Sequence, residues 1–431
     1  MSRGNSSVAS ESNPDVRRLA DWSAGALREL AAEYGTPLYV QDLDRVRENH
    51  ERLAAAFPDA GVHYAVKANA GRAVLETLRE AGAGAESVPA GTKNAPVGAE
   101  CASAGEVYRA LEAGFAPAGI HYTAVNPPAR DLAFVLEEAP EVTVVAGARD
   151  TITRLDERGF SGRLALRVHP GVGAGHSEAV ATGADAKFGV PVDRAPGLLD
   201  AAAARDFDVV GVHAHAGSGM LSDADVATHR EVVERVASVA RETTVDLEFV
   251  DVGGGFGVPY RPDEAPLDLD AVADATRDAL ASVDAKLVVE PGRYLVADAS
   301  VLLATVNTVK QTAGATLAGV DAGMTTLLRP ALYDARHEVR SLAADANDRP
   351  ERRASVVGPV CESTDVLAED RSLPRPERGD LLAVGNAGAY GVEMANQYNS
   401  RPRPAVVALA DGDHRLVRER DSLSDLTASE R

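Results

Sequence analysis

The chain has 431 residues, too long for one ordinary domain, and 45% hydrophobic content is enough to fill a sizeable core. Its formal net charge is −21 with no basic run to neutralise phosphates, which argues against a nucleic-acid partner. No window approaches eighteen uninterrupted apolar residues, and MSRGNSSVASESNPD lacks the apolar stretch of a signal peptide, so the expected location is the cytoplasm, without a membrane partner.

The two cysteines, Cys101 and Cys361, are too few for a disulfide framework and read as free thiols. The acids are spread along the chain. A solvated acidic surface with only five lysines suits a salt-rich, halophilic cytoplasm, where carboxylate repulsion is screened.

In chain order, residues 1–17 are polar and read as a disordered segment. TPLYV reads as a strand and the stretch after it as an amphipathic entry helix, so 18–44 forms a lead-in. A rhythm then begins. The β-rich runs VHYAVKA, AECAS, GIHYTA, EVTVVAG, GRLALRVH, DVVGVHAHA, LEFVDVGG and KLVVEPG alternate with helical stretches such as GRAVLETLREAG and GEVYRALEAGF. Eight such units over 45–297 predict an α/β fold, a (β/α)8 barrel; a doubly wound open sheet is the alternative. The Gly/Pro-rich 84–98 stretch interrupts the rhythm as a loop. GAGAES and PVGAEC, on either side of it, are similar enough that either could be the second strand, and the second is favoured because SAGEVYRAL follows it directly. After Leu295, runs such as VLLATVNTVKQT, ASVVGPVC and PAVVALADGD predict a β-rich second domain over 298–415, which the TPLYV strand can join. Residues 416–431 read as a disordered tail.

In a (β/α)8 barrel the chemistry gathers where the strands end. Lys67 ends the first strand, His213 and His215 the sixth, GGGFG the seventh and EPGR the eighth. A lysine at an apolar mouth can lose its proton and act as the amine that a Schiff base needs, although position alone favours one that snorkels to the surface or pairs with a carboxylate. The glycines of DVGGGFG let backbone N–H groups approach a phosphate, or simply make a tight turn. Zinc at His213 and His215 lacks a third ligand with a matching run, so no metal is expected; a histidine beside a planar ring fits as well. Glu290 and Arg293 could hold a ring N–H and a phosphate or carboxylate, or form a structural salt bridge.

As an ordered set, YAVKAN, SAGE, TGADAKFGV, HAHAGS, GGGFG, EPGRYLVA, DAGM, RPALYDARH, CESTD and GAYG followed by YNSRPRP resemble the fold type III (alanine-racemase-like) pyridoxal-phosphate decarboxylases, and within them the diaminopimelate decarboxylases, from about Gly35 to Val407. The resemblance implies pyridoxal 5'-phosphate as cofactor, with Lys67 binding it covalently and His215 stacking on its ring. Ser218, Gly254 and Gly255 would bind its phosphate with Arg293 nearby, Gly292 would also contact the cofactor, Glu290 would hold its ring nitrogen, and Tyr390 would close over it. Arg329 and Tyr333 would clamp the carboxylate at the substrate's far end, with Arg293 and Tyr390 also near substrate, while Glu362 would take the far amino group. Cys361 would donate a proton from a partner subunit, in a homodimer with shared active sites. The implied reaction is decarboxylation of meso-2,6-diaminopimelate to L-lysine and CO2, the final step of lysine biosynthesis by that pathway. An ornithine- or arginine-type decarboxylase, a racemase of the same fold and a non-catalytic cofactor-binding homologue are the alternatives. The long 84–98 loop, His169 where the family commonly has asparagine, and Asn126 followed by two prolines depart from the pattern.

Overall fold

The computed structural model describes residues 14–83, 97–172, 174–175, 187–215 and 217–431. They form two compact units. One comprises Asn49–Val258 and Leu267–Tyr294; the other takes the chain up to Glu48, Pro259–Pro266 and Leu295–Arg431. The boundaries expected at 45 and 297 thus fall at 49 and 294, and the excursion at 259–266 leaves the barrel for the β-rich unit. There the Asn386 side-chain amide donates to the carbonyl of Pro259 (2.7 Å), and the Arg329 guanidinium lies over the Tyr260 ring (4.8 Å).

The barrel is closed. Its strands are β1 (Gly61–Ala65), β2 (Gly98–Cys101), β3 (Ile120–Tyr122), β4 (Thr143–Ala146), β5 (Arg163–His169), β6 (Asp208–His213), β7 (Phe249–Asp251) and β8 (Lys286–Val289). Each pairs in parallel with the next, and β8 returns to β1 through Val288 and Gly61. All eight β-rich runs of the sequence are these strands. Of the two similar pieces flanking the interrupting loop, the second forms β2; residues 84–96, with most of that loop, lie outside the described residues, as does TGADA at 182–186.

Alternate residues of each strand point into the barrel. Val145, Ala165, Val210, Phe249 and Val288 pack there as an apolar plug. Three helices between the strands start on side-chain caps, at Ser103, Ser222 and Asp268. Ser222 accepts from the Asp225 N–H while the Asp225 carboxylate accepts from the Ser222 N–H, a reciprocal box that opens the helix Asp223–Glu242 after β6.

The β-rich unit holds a nine-stranded sheet. The strand Leu38–Asp42, from TPLYV, lies antiparallel to Ser300–Gln311 and parallel to Ala405–Ala410. Its pleat sends Leu38 and Val40 into one apolar cluster and Tyr39 into another, so the sheet is covered on both faces. Both terminal segments differ from expectation where they are described. Residues 1–13 lie outside the description, but Arg17 is buried, donating from Nη1 to Asp42 (2.6 Å) and from its backbone N–H to Asp298 (3.0 Å). The tail is also tied down: Asp413–Arg418 pairs with Ala405–Ala410, Arg420 donates to the carbonyl of Pro37 (2.9 Å), and Arg403 donates to Asp421 (2.7 Å). Polar composition suggested disorder; long arginine side chains reaching backbone carbonyls and carboxylates supply the order instead. Among the described residues no helix is long and apolar enough to cross a membrane.

Candidate active site

The strand ends of the barrel are stitched to one another. The Ala65 N–H donates to the Pro291 carbonyl (3.0 Å) and the Glu290 N–H to the Gly253 carbonyl (2.8 Å), which fixes the ends of β8, β1 and β7 as one rim. Lys67 lies just past β1, on a 3-10 turn over Val66–Ala68. Its side chain is 39% exposed and its Nζ is paired with Glu100, which is buried on β2 and also accepts from the Thr123 hydroxyl. Gly292 packs behind this turn, where an added Cβ would stand 3.1 Å from Ala65 Cβ and 3.2 Å from Ala68 Cβ.

Glu290 follows β8 and is buried. Its Oε2 lies 3.1 Å from His213 Nε2, and its Oε1 is buried with no hydrogen-bond partner. Burial alone would raise its carboxyl, but His213, with Lys67 and His215, overrides that and holds it well below the usual carboxylate range. Asp251, at the end of β7, moves the other way. Burial first, and then the charge of Glu290, push its carboxyl well up. Two adjoining buried carboxyls cannot both ionise, so Asp251 keeps the proton and Glu290 carries the charge. Asp251 Oδ2 lies 3.4 Å from His121 Nδ1 without a hydrogen bond, as a protonated carboxyl allows. Asp251 Oδ1 meanwhile accepts from the Gly253 N–H (2.9 Å), which joins the carboxyl pair to the glycine turn.

That turn needs glycine. Gly253 and Gly255 have φ of +71° and +101°, and a Cβ on Gly254 would stand 2.1 Å from the Glu290 carbonyl oxygen. Nearby, Arg293 Nη2 donates to the Ser218 hydroxyl (3.0 Å). His215 lies two residues beyond the end of β6, and its Nδ1 accepts from the Gly254 N–H (3.3 Å). Burial, then the positive charges of Lys67 and Arg167, push its pKa down to about 3, so its ring is a neutral plane at ordinary pH.

The sequence-predicted residues of the barrel are therefore gathered at one rim: Lys67, His215, Ser218, Gly254, Gly255, Glu290, Gly292 and Arg293. They fit pyridoxal phosphate on the chemistry of their groups. An amine, a neutral ring, a glycine turn beside a hydroxyl and a guanidinium, and an ionised buried carboxylate with one unclaimed oxygen match the cofactor's aldehyde, ring face, phosphate and ring nitrogen. His213 and His215 have separate partners. Among the described residues the one buried group with donor atoms within 4.8 Å of one another is His121, Asp251 and Glu290, which includes neither of them.

Other predicted residues belong to the β-rich unit. Arg329 opens the short helix Arg329–Tyr333; it is buried, with Nη1 2.9 Å from His337 Nε2, and Tyr333 closes the helix half-buried. Cys361 is exposed, its thiol 3.6 Å from Asn399 Oδ1, and the exposed carboxylate of Glu362 accepts from the Tyr398 hydroxyl (2.6 Å). Tyr390 is half-buried with φ +56°, next to Gly388, where a Cβ would stand 1.8 Å from the Val296 carbonyl. The sequence reading singled out neither Glu100, Thr123 nor Asp251. The signal for them is the strand period: Glu100 and Asp251 are acids at inward positions near strand ends, where the plug below is apolar.

Residues 43–297 match the family model of the pyridoxal-dependent decarboxylase, pyridoxal binding domain. A diaminopimelate decarboxylase of Methanothermobacter thermautotrophicus is 44% identical over 92% of each chain, and one of Aquifex aeolicus is 36% identical over the same share. A crystal structure of diaminopimelate decarboxylase from Helicobacter pylori complexed with L-lysine superposes with a TM-score of 0.84 at 31% identity, covering 94% of this chain and 99% of that one. A lysine/ornithine decarboxylase from Vibrio vulnificus, 22% identical with a TM-score of 0.76, shares the fold.

Proposed function

This chain belongs to the diaminopimelate decarboxylases, within the pyridoxal-dependent decarboxylases, and from that premise we propose that it converts meso-2,6-diaminopimelate to L-lysine and CO2, the final step of lysine biosynthesis by that route. The observation that carries the chemistry is the ionised Glu290, with one buried oxygen unclaimed, on the same rim as Lys67. When bound, the cofactor supplies the sink for the electron pair left as CO2 departs.

The chain's own groups divide the work. Lys67 holds the cofactor covalently, and Glu100 orients its amine. Glu290 keeps a proton on the ring nitrogen, steadied by His213 and by the proton of Asp251. His215 would offer its neutral ring to the cofactor's ring face, where a charged imidazole would oppose the ring's positive charge. Ser218, Gly254, Gly255 and Arg293 hold the phosphate, while Gly292 lets the rim close behind Lys67. From the β-rich unit, Arg329 and Tyr333 are assigned to the distal carboxylate, Glu362 to the distal amino group, and Tyr390 to cofactor and substrate. Cys361 delivers the proton that replaces the lost carboxyl group on the same carbon. Its exposure, and that of Glu362, supports a homodimer in which each serves the partner's site.

The test is product analysis with meso-diaminopimelate, ornithine and arginine supplied separately to the holoenzyme. The proposal expects L-lysine and CO2 in equal amounts from diaminopimelate, with turnover at least about a hundredfold above that with ornithine, as a lost charge-assisted clamp implies. Preference for ornithine or arginine would reject it.

A further inference from the structure

A second cluster of charge lies in the β-rich unit. The strands Glu351–Val357 and Val366–Pro374 run antiparallel, with Arg353 opposite Ser372 and Ala354 opposite Arg371. A bulge there puts Asp370 at φ +49°. Arg353 Nε donates to Asp370 (2.8 Å) and Arg261 Nε lies 3.6 Å from Glu264, so these two cations are answered. Arg336 and Arg371 are not. Neither side chain has an ion pair or hydrogen bond among the described residues, and the Nε atoms of both are buried without a partner. Burial and the neighbouring guanidiniums of Arg336, Arg261 and Arg353 depress the pKa of Arg371, outweighing the opposing charge of Asp370. Arg336, Arg353 and Arg371 line a cavity of about 380 Å³ together with Ser372, Glu338 and Asp370.

This is unusual for a chain with 65 acidic and 44 basic residues, where carboxylates are plentiful. Two neighbouring guanidiniums without an ion-pair partner of their own repel each other, and the repulsion falls when an anion enters between them. Guanidinium forks match tetrahedral oxyanions in paired hydrogen bonds. The volume lies within the range of small-molecule sites and is larger than a bare anion needs. We propose that the pocket between Arg336 and Arg371 binds a phosphate-class oxyanion, free or carried by a small metabolite. Arg353 and the Ser372 hydroxyl form its rim, and Glu338 turns away ligands that extend negative charge to that wall. The site is separate from the Gly253–Gly255 turn and does not depend on the proposed reaction.

The test uses holoenzyme, so that the cofactor's own phosphate fills the barrel cradle. Inorganic phosphate is titrated by calorimetry at constant ionic strength, with chloride as control, into wild type, Arg336→Gln, Arg371→Gln and the double variant. Wild type should bind saturably, each single variant about tenfold or more weakly, and the double variant no better than the chloride control. Phosphate should raise the melting temperature of wild type and leave that of the double variant unmoved. Without phosphate the double variant should melt no lower than wild type, since it loses a repulsion, which also shows that it folds. Absence of saturable binding to wild type, or wild-type affinity in the folded double variant, would overturn the site.

Discussion

Glu290 and Glu362 are both glutamates assigned to a nitrogen of the bound molecules, one on the cofactor and one on the substrate. Glu290 is buried, faces His213 and shares its environment with a protonated Asp251. Glu362 is exposed, its carboxylate taken by a tyrosine hydroxyl. The difference extends to their units. The barrel rim keeps Glu100, Asp251 and Glu290 dry and matches each to a cation or a proton, which suits groups held through every turnover. The β-rich unit leaves Cys361 and Glu362 at its surface, which suits groups that meet a transient ligand. Pre-set charge in the barrel and presented charge in the β-rich unit are the two halves of the account.

The largest expected effect breaks the barrel half. Lys67→Ala should lower turnover by about 10³-fold or more and abolish covalent retention of the cofactor, read by denaturing dialysis after reduction. Next, Arg329→Ala should lower kcat/KM for diaminopimelate by about a hundredfold, leave cofactor content intact, and narrow the preference over ornithine. Equal loss on both substrates would make Arg329 a structural residue, as its contact with His337 allows. Asp251 sharpens the claim that the barrel is pre-set. An asparagine can donate to Glu290 and accept from Gly253 as the protonated acid does, so Asp251→Asn should keep cofactor affinity within about threefold, whereas Asp251→Val should lose about tenfold. Similar losses in both would show that Asp251 works as an anion.

The presented half can be broken by mixing. Lys67→Ala and Cys361→Ala subunits, each inactive, should regain about one quarter of wild-type activity after exchange if a dimer's sites are shared. No recovery would place Cys361 in its own subunit's site. The smallest effect is on stability. Burial holds His229 down to about pH 4 and His121 well below its ordinary value. The unfolded chain takes up those protons from about pH 6.5 downward and the native chain does not. Stability is therefore full above about pH 6.5 and falls as pH drops toward 4, by about 1.4 kcal/mol per unit for each such histidine. Urea midpoints at pH 7 and pH 5 measure this.

The barrel was legible in the sequence because its strands are short β-branched runs spaced by amphipathic helices, and all eight fall where the runs do. Lys67, His215 and Glu290 stood out as polar residues at strand ends. Asp251 and Glu100 did not, since Glu100 meets Lys67 and Thr123, and Asp251 meets Glu290, across neighbouring strands that only the parallel register sets side by side. The tail was misread for a related reason: its order comes from Arg420 and Asp421 reaching the Pro37 carbonyl and Arg403, which local composition does not encode.

The most direct test of the central claim is borohydride reduction of the purified holoenzyme followed by peptide mapping. The account predicts an absorbance band near ~420 nm, characteristic of the cofactor joined to an amine, that disappears on reduction and leaves the pyridoxyl group on Lys67 alone. A pyridoxyl group on Lys93, Lys187, Lys286 or Lys310, or on no lysine at all, would contradict it.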